Sequence, residues 1–242
     1  SDPTCVDESF ASIVGFNGHG AIVHYEPTPE TDVAIEGNGL LLVDSGGQYT
    51  LGTTDITRTI AIGTPTAAMK HDFTLVLKGH IALANAVFPE GTTGHQLDAL
   101  ARQFLWNEGK AYYHGTGHGV GFFINCHEGP QNIRLNTNPT PLEPGMITSN
   151  EPGLYLEDRY GIRLENLIET VPAMNTEFGQ FLKFRTATLF PFDLSLCDTS
   201  IMTNDEISWL NDYHLMVRNR LTPLLSPEEA EWINIKTRPL TR

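Results

Sequence analysis

The chain has 242 residues, 40% of them apolar and 18% charged, with aromatic and β-branched residues spread throughout, so it can build a large core and is not disordered as a whole. No apolar run approaches the length of a membrane span, which excludes a transmembrane helix. The 15 basic and 29 acidic residues leave a formal charge of −14, which repels phosphate backbones, excludes a general nucleic-acid binder and suits a site that collects cations.

Ser1-Asp2-Pro3-Thr4 has neither a basic flank nor an apolar run, so no signal peptide is read there. The chain enters globular sequence at once, which predicts a fragment of a longer protein. Residues 10–62 read as β-rich. Ala21-Ile22-Val23 and Leu40-Leu41-Leu42-Val43 are short apolar runs bounded by turn formers and suit buried strands, and Leu51 to Ile62 reads as a strand pair or hairpin arm. From Pro65 to Phe88 the period changes. Met69, Phe73, Val76, Leu77, Ile81, Ala84 and Val87 form one helical stripe, with Thr64 as cap, Pro65 at the first helical position, and Pro89 with Gly91 as stop. A second helix is predicted from about Gly94 to Asn107, with Leu97, Leu100, Ala101, Phe104 and Leu105 inward. Residues 119–190 return to short strands and long loops. In the tail, Thr203-Asn204-Asp205-Glu206 and Ser226-Pro227-Glu228-Glu229 are capping boxes that open two more helices. His214 falls on the apolar stripe of the first and reads as a packed core histidine. The class is α+β, with a helical C-terminal extension.

Cys5, Cys126 and Cys197 are odd in number and widely spaced, which argues against a disulfide framework and for a reducing compartment. Cys126 lies near histidines and is weighed as a nucleophile, but a free cysteine is most often a small buried thiol, and it is read as one.

Acids in strand-like sequence carry the chemistry. Asp44 ends the run Leu40–Val43, where a bare carboxylate is costly, and Ser45-Gly46-Gly47 follows. Asp55 lies in Gly52-Thr53-Thr54-Asp55-Ile56-Thr57-Arg58-Thr59; an ion pair with Arg58 is disfavoured because residues three apart on a strand point to opposite faces. His114-Gly115-Thr116-Gly117-His118-Gly119 is a loop whose backbone can approach a ligand. Glu151 stands against a turn in Asn150-Glu151-Pro152-Gly153, and Glu165 lies within Gly161-Ile162-Arg163-Leu164-Glu165-Asn166-Leu167. Buried carboxylates cannot share a core as bare charges; protons or cations must neutralise them. Oxygen donors with one imidazole suit Mn²⁺, Zn²⁺, Co²⁺ or Fe²⁺, and the lack of thiolates argues against a structural zinc site. Four carboxylates and a histidine supply donors for two ions, about 3.5–4 Å apart in two-metal sites.

The ordered set Asp44, Asp55, His118, Glu151 and Glu165, each inside its own string, resembles the five metal ligands of the pita-bread metallopeptidases. Within that family the sequence is most similar to the long-form Xaa-Pro aminopeptidases. Gly18-His19-Gly20-Ala21-Ile22-Val23-His24-Tyr25 and Cys126-His127-Glu128-Gly129-Pro130 resemble the segments carrying their two substrate-site histidines. Trp209-Leu210-Asn211-Asp212-Tyr213-His214 resembles their C-terminal extension. The resemblance implies a catalytic domain over residues 1–195 in the pita-bread fold and a helical extension over 196–242. It departs at the start, where the family carries one or two further domains and an opening helix. Creatinase shares the fold but lacks the ligand set.

The resemblance further implies a dinuclear aminopeptidase that releases the residue before a penultimate proline through a metal-bridging hydroxide. Asp44 would chelate one ion, His118 and Glu151 the other, and Asp55 and Glu165 would bridge. Glu151 would also be general base and proton carrier. His24 and His127 would bind the substrate and the developing oxyanion, His114 would line the pocket, and Arg163 would sit beside the bridging carboxylates and keep them ionised. Manganese is the expected ion by family habit, with Zn²⁺ and Co²⁺ permitted by the donors. A homodimer and a cytoplasmic location are implied in the same way. The bond before proline is a tertiary amide without an N–H, so the ring needs an apolar slot, for which Phe122 and Phe123 are candidates. Two alternatives stand beside this: a prolidase, which needs a group for the free carboxylate of a dipeptide, and a metal-free binding protein on the same scaffold.

Overall fold

The computed structural model describes residues 2–123 and 125–242. In chain order the elements are β1 (Cys5–Glu8), β2 (Ile13–Phe16), a 3-10 turn (Asn17–Ala21), β3 (Gly39–Ser45), β4 (Gly47–Tyr49), β5 (Gly52–Thr53), β6 (Ile56–Ile62), α1 (Ala67–Ala84), β7 (Val87–Pro89), α2 (Gly94–Trp106), β8 (Gly117–Val120), β9 (His127–Ile133), β10 (Ile147–Asn150), β11 (Gly153–Leu156), β12 (Tyr160–Arg163), β13 (Asn166–Thr176), β14 (Gly179–Thr186), α3 (Asn204–Leu221) and α4 (Pro227–Lys236). Four antiparallel groups form: β2-β3-β6, the six-stranded β7-β14-β13-β10-β8-β9, and the small groups β1-β4-β5 and β11-β12. Among the described residues no helix is long and apolar enough to cross a membrane.

Two apolar clusters hold these layers. Leu83, Leu97, Ala101, Ile133, Ile168 and Leu182 join α1 and α2 to the six-stranded sheet. Leu40, Phe73, Val76, Leu77, Ile162, Phe192, Leu210 and Val217 join α1 to β3, β12 and the C-terminal helices. Helix α1 therefore lies between two cores. That is why Leu75, Leu83, Thr74, Lys78 and His80 are buried beside the predicted stripe. The polar members are matched. Lys78 Nζ donates to Glu206 at 2.7 and 2.8 Å, which ties α1 to α3.

Three local expectations are corrected. Thr66, not Thr64, caps α1, its Oγ1 accepting from the Met69 N–H at 3.2 Å. Thr64 is spent on the preceding turn, where its N–H donates to Asn38 Oδ1 and Gly63 adopts φ +65°. Val87 lies in β7, half exposed, because the helix stops at Ala84. Ala21-Ile22-Val23 is not a strand. The chain turns there because Gly20 backs directly onto β12; a Cβ on Gly161 would stand 1.6 Å from Gly20 O. The tail helices match their capping boxes, at Thr203/Glu206 and Ser226/Glu229.

His80 and His214 are fully buried, and their partners require the neutral ring. His80 Nδ1–H donates to Leu164 O, and its Nε2 accepts from the Asn166 amide. His214 Nε2 accepts the Phe192 N–H at 3.0 Å. Burial, with the Arg58 charge nearby, pushes His80 down to about 3 and His214 down to about 4, from 6.5. Between those values and 6.5 the unfolded chain binds protons that the folded chain refuses. Stability is thus full above about pH 6.5 and falls as pH drops, by up to roughly 1.4 kcal/mol per pH unit per histidine. Urea unfolding at pH 7.5, 6.5 and 5.5 is expected to show this loss, and His214→Gln is expected to make the slope shallower.

Candidate metal centre

Antiparallel register brings the acids together. Asp44 pairs with Thr57 across β3 and β6, so Asp44 and Asp55 meet at one end of that sheet. Asn150 pairs with Asn166 across β10 and β13, so the next residue outward on each side, Glu151 and Glu165, meet at the end of the other sheet. The Glu165 N–H donates to Thr57 O at 3.0 Å and joins the two ends. His118 comes from β8, its backbone packed so closely on β10 that a Cβ on Gly117 would lie 1.9 Å from Ser149 O.

The five predicted ligands converge. One ligand atom each from Asp44, Asp55 and Glu165 lies within 4.8 Å of the others, and the same holds for His118, Glu151 and Glu165. A third grouping, Asp55, His118 and His127, brings in a histidine the sequence reading did not count as a ligand. His118 Nε2 stands 3.3 Å from Asp55 Oδ2 and 3.6 Å from Glu151 Oε1.

The electrostatics follow from burial. Burial pushes Asp44 up, against the Arg163 guanidinium that pairs with it. Burial and the neighbouring carboxylates push Glu165 well above the usual range, and burial pushes Glu151 up to about 7. At Asp55, burial is outweighed by hydrogen bonds from His118 and from the Cys126 thiol, and the group is held low.

The residues fit a pair of divalent cations. Asp44 Oδ1 is buried and has no hydrogen-bond partner. His118 Nδ1–H donates to Gly119 O at 2.9 Å, so Nε2 is the nitrogen that faces the carboxylates, where a cation would replace the proton it shares with Asp55. Oxygen donors plus imidazole suit Mn²⁺, Zn²⁺ or Co²⁺.

The carboxylates form the floor of a cleft of about 620 Å³ that is also lined by His24, His114, His127, Phe10, Val23, Tyr25, Asn132, Arg134 and Arg163. The His127 ring lies beside that of His118, centroids 3.9 Å apart and planes tilted by 44°, and both His24 and His127 are exposed to the cleft. Arg163 is buried and bonds Asp44 Oδ2 at 2.7 Å, Thr57 Oγ1 at 3.2 Å and the Tyr155 hydroxyl at 2.9 Å. Its carboxylate partner is therefore Asp44, not one of the two expected to bridge. His114 gives both nitrogens to the protein: Nδ1–H donates to Gly115 O, and Nε2 accepts from Tyr155 OH at 2.8 Å. Burial pushes its ring down to about 4. Phe122 and Phe123 do not enter this cleft; they line a separate depression with Thr50 and Glu128. Cys126 is buried, as read, but its Sγ–H donates to Asp55 Oδ2 at 3.1 Å.

Sequence reasoning passed over Thr57 and Tyr155. Thr57 donates to Glu165 Oε2 at 2.8 Å, and its position was legible: two residues beyond Asp55 on a strand, it shares that residue's face. Tyr155 meets Arg163 only through the register of the β11-β12 hairpin, which no local pattern reveals.

A family model described as metallopeptidase family M24 matches residues 2–171, and one for the C-terminal region of peptidase M24 matches residues 180–240. Aminopeptidase P2 of Arabidopsis thaliana is 48% identical over 242 residues, covering 98% of this chain and 34% of that protein. A probable Xaa-Pro aminopeptidase P of Arthroderma otae is 46% identical, covering 97% of this chain and 39% of that one. The crystal structure of an X-prolyl aminopeptidase from Caenorhabditis elegans, described as a cytosolic enzyme with a di-nuclear active site, superposes with a TM-score of 0.93 at 39% identity over 99% of this chain and 40% of its own. A prolidase from Pyrococcus furiosus superposes at 0.64 with 28% identity, over 76% of this chain and 51% of that one. The chain spans between a third and two-fifths of the length of these curated relatives.

Proposed function

The chain belongs to metallopeptidase family M24, with its pita-bread, mixed α+β fold, and on that premise we propose that it is the catalytic part of an aminopeptidase that removes the residue before a penultimate proline. The observation that carries this is the convergence of Asp44, Asp55, His118, Glu151 and Glu165 at the floor of one cleft. Asp44, Asp55 and Glu165 would hold one divalent cation, and His118 and Glu151, with Glu165, the other; manganese is our choice of ion. When bound, such a pair supplies a water of lowered pKa and a clamp for the oxyanion of an attacked carbonyl.

The chain's own residues do the rest. Glu151 is the general base that takes a proton on its carboxylate and returns it to the departing proline nitrogen; Ser149 Oγ–H donates to its Oε1 at 3.1 Å. His24 and His127 stand at the cleft wall, where they hydrogen-bond the substrate and the developing oxyanion. Arg163 pairs with Asp44, opposing the burial that pushes its carboxyl up, and through Tyr155 fixes the ring of His114, which serves as wall. Phe10, Ile13, Val23 and Tyr25 supply apolar surface for the proline ring in place of Phe122 and Phe123. We read residues 1–195 as the catalytic domain and 196–242 as its extension, the assembly as a homodimer and the location as cytosolic, by likeness to the family.

One observation favours a second reading, a dipeptidase of the prolidase kind. Arg134 is exposed in the cleft and has no acidic partner among the described residues, so it is free to take a dipeptide's carboxylate. Hydrolysis of a Xaa-Pro-Xaa peptide and of a Xaa-Pro dipeptide, with Mn²⁺ and with chelator, tests both. We expect metal-dependent release of the first residue from the tripeptide, at least about tenfold faster than dipeptide cleavage. A faster dipeptide reverses the choice. Undiminished turnover in chelator removes both readings.

A further inference from the structure

Arg58 is a buried cation with no carboxylate partner among the described residues. Its N–H groups are all taken by neutral oxygens. Nη1 donates to Thr57 O at 2.9 Å and Glu165 O at 2.5 Å. Nη2 donates to Asn166 Oδ1 and Phe190 O, both at 2.7 Å, and to Tyr213 OH at 3.1 Å. Nε donates to Pro191 O at 3.1 Å, and the guanidinium lies 4.1 Å from the centroid of the Phe192 ring.

Together Thr57 and Arg58 hold Glu165 at three points. Thr57 O accepts its N–H, Thr57 Oγ1 donates to its carboxylate, and Arg58 donates to its carbonyl oxygen. Arg58 is in turn held from the far side. Tyr213 OH lies in contact with the carbonyl oxygens of Phe190, at 2.8 Å, and Thr188, at 3.2 Å, and it sits on α3. No residue of α3 reaches the cleft. Yet α3 reaches, through Arg58, the backbone of the residue whose carboxylate belongs to two of the three ligand groupings.

We propose that Arg58 is a positioning residue for Glu165, and that through Tyr213 it makes the C-terminal helix α3 part of the apparatus that sets metal affinity. This rests on the metal-centre reading. The planar five-donor fork reaches six acceptors here, four of them backbone carbonyls, which an ammonium with three donors cannot do. The extension thereby gains a role beyond packing.

The test is calorimetric titration of metal-stripped protein with Mn²⁺ well below the melting temperature, beside melting temperatures without metal. Arg58→Lys keeps the charge and loses the fork; Tyr213→Phe keeps the ring and loses the hydroxyl. Affinity is expected to weaken by about tenfold or more for Arg58→Lys and by roughly three- to tenfold for Tyr213→Phe, the range for groups that orient ligands. Leu83→Ala, a cavity in the other core cluster, lowers the melting temperature and leaves affinity unchanged. Affinity within about twofold of the parent in Tyr213→Phe overturns the proposal, whether or not Arg58→Lys folds. An equal loss in Leu83→Ala also overturns it, because the effect is then general loosening. A parent chain that takes up no metal fails earlier and differently, since that result removes the metal-centre reading itself.

Discussion

Asp55→Ala and Glu165→Ala are each expected to abolish turnover and stoichiometric metal together. Of the three ligand groupings, two contain Asp55 and two contain Glu165, so either change leaves only one intact. A single residual triad can hold at most one ion weakly. If the pair stabilises the transition state by about 4 kcal/mol, its loss costs on the order of 10³-fold in rate. Elemental analysis of the purified variants and rates on a Xaa-Pro-Xaa peptide measure the two effects independently. Glu165→Gln separates function from folding. The amide still accepts from Thr57 Oγ1 through its oxygen and is the neutral counterpart of the acid form that burial and the neighbouring carboxylates favour without metal. The metal-free variant should therefore melt no lower than the parent, while the rise in melting temperature on adding Mn²⁺ disappears. Turnover of the peptide by either alanine variant at a tenth of the parent rate would refute the dinuclear assignment.

Why the site was legible and parts of its surroundings were not is a matter of range. Asp44, Asp55 and Glu165 stand out because a carboxylate inside an apolar strand is anomalous on its own, whatever the fold. His118 stands out because glycines flank it on both sides. The roles of Arg58 and Arg163 depend on contacts between segments far apart in sequence, and that of Tyr155 on hairpin register together with His114, 41 residues away. Arg58 has Thr57 as a neighbour in the chain, but its other partners lie at 165, 166, 190, 191 and 213. A local reading asks only whether Arg58 pairs with Asp55; the answer is no, and the real partners are carbonyl oxygens and the Tyr213 hydroxyl. The helices behaved likewise. Capping boxes at Thr203 and Ser226 are local devices and were read correctly, whereas α1 shows one apolar stripe in sequence and is buried on two sides because α3 comes back across it. The Ala21–Val23 run failed for the converse reason. Its composition suits a strand, but the close approach of Gly20 to Gly161 claims the segment first.

Asp98→Ala is expected to be the most destabilising single change outside the apolar core. Asp98 and Arg102 are one turn apart on α2 and both almost wholly buried. Asp98 Oδ2 accepts Arg102 Nε at 2.5 Å, and Oδ1 accepts Arg102 Nη2 at 3.1 Å and Thr116 Oγ1 at 2.6 Å. The guanidinium also donates to Tyr112 O at 2.6 Å and His114 O at 2.9 Å and lies 3.9 Å from the Tyr112 ring centroid. Removing the acid leaves a desolvated cation without a counter-charge, at a cost of about 3–5 kcal/mol, read as a lower midpoint in urea. The pair's purpose is separated from its stability by replacing both members, Asp98→Leu with Arg102→Met. An apolar pair of similar volume recovers most of the lost stability, because a buried ion pair barely repays its desolvation. It does not recover the tether on residues 112–116. Thr116 O accepts the Glu151 N–H at 2.7 Å, so the loop that Asp98 holds is the one against which Glu151 is set. The double variant should accordingly unfold within about 1.5 kcal/mol of the parent and bind Mn²⁺ roughly tenfold more weakly. Parental affinity in that variant would reduce the pair to a packing device.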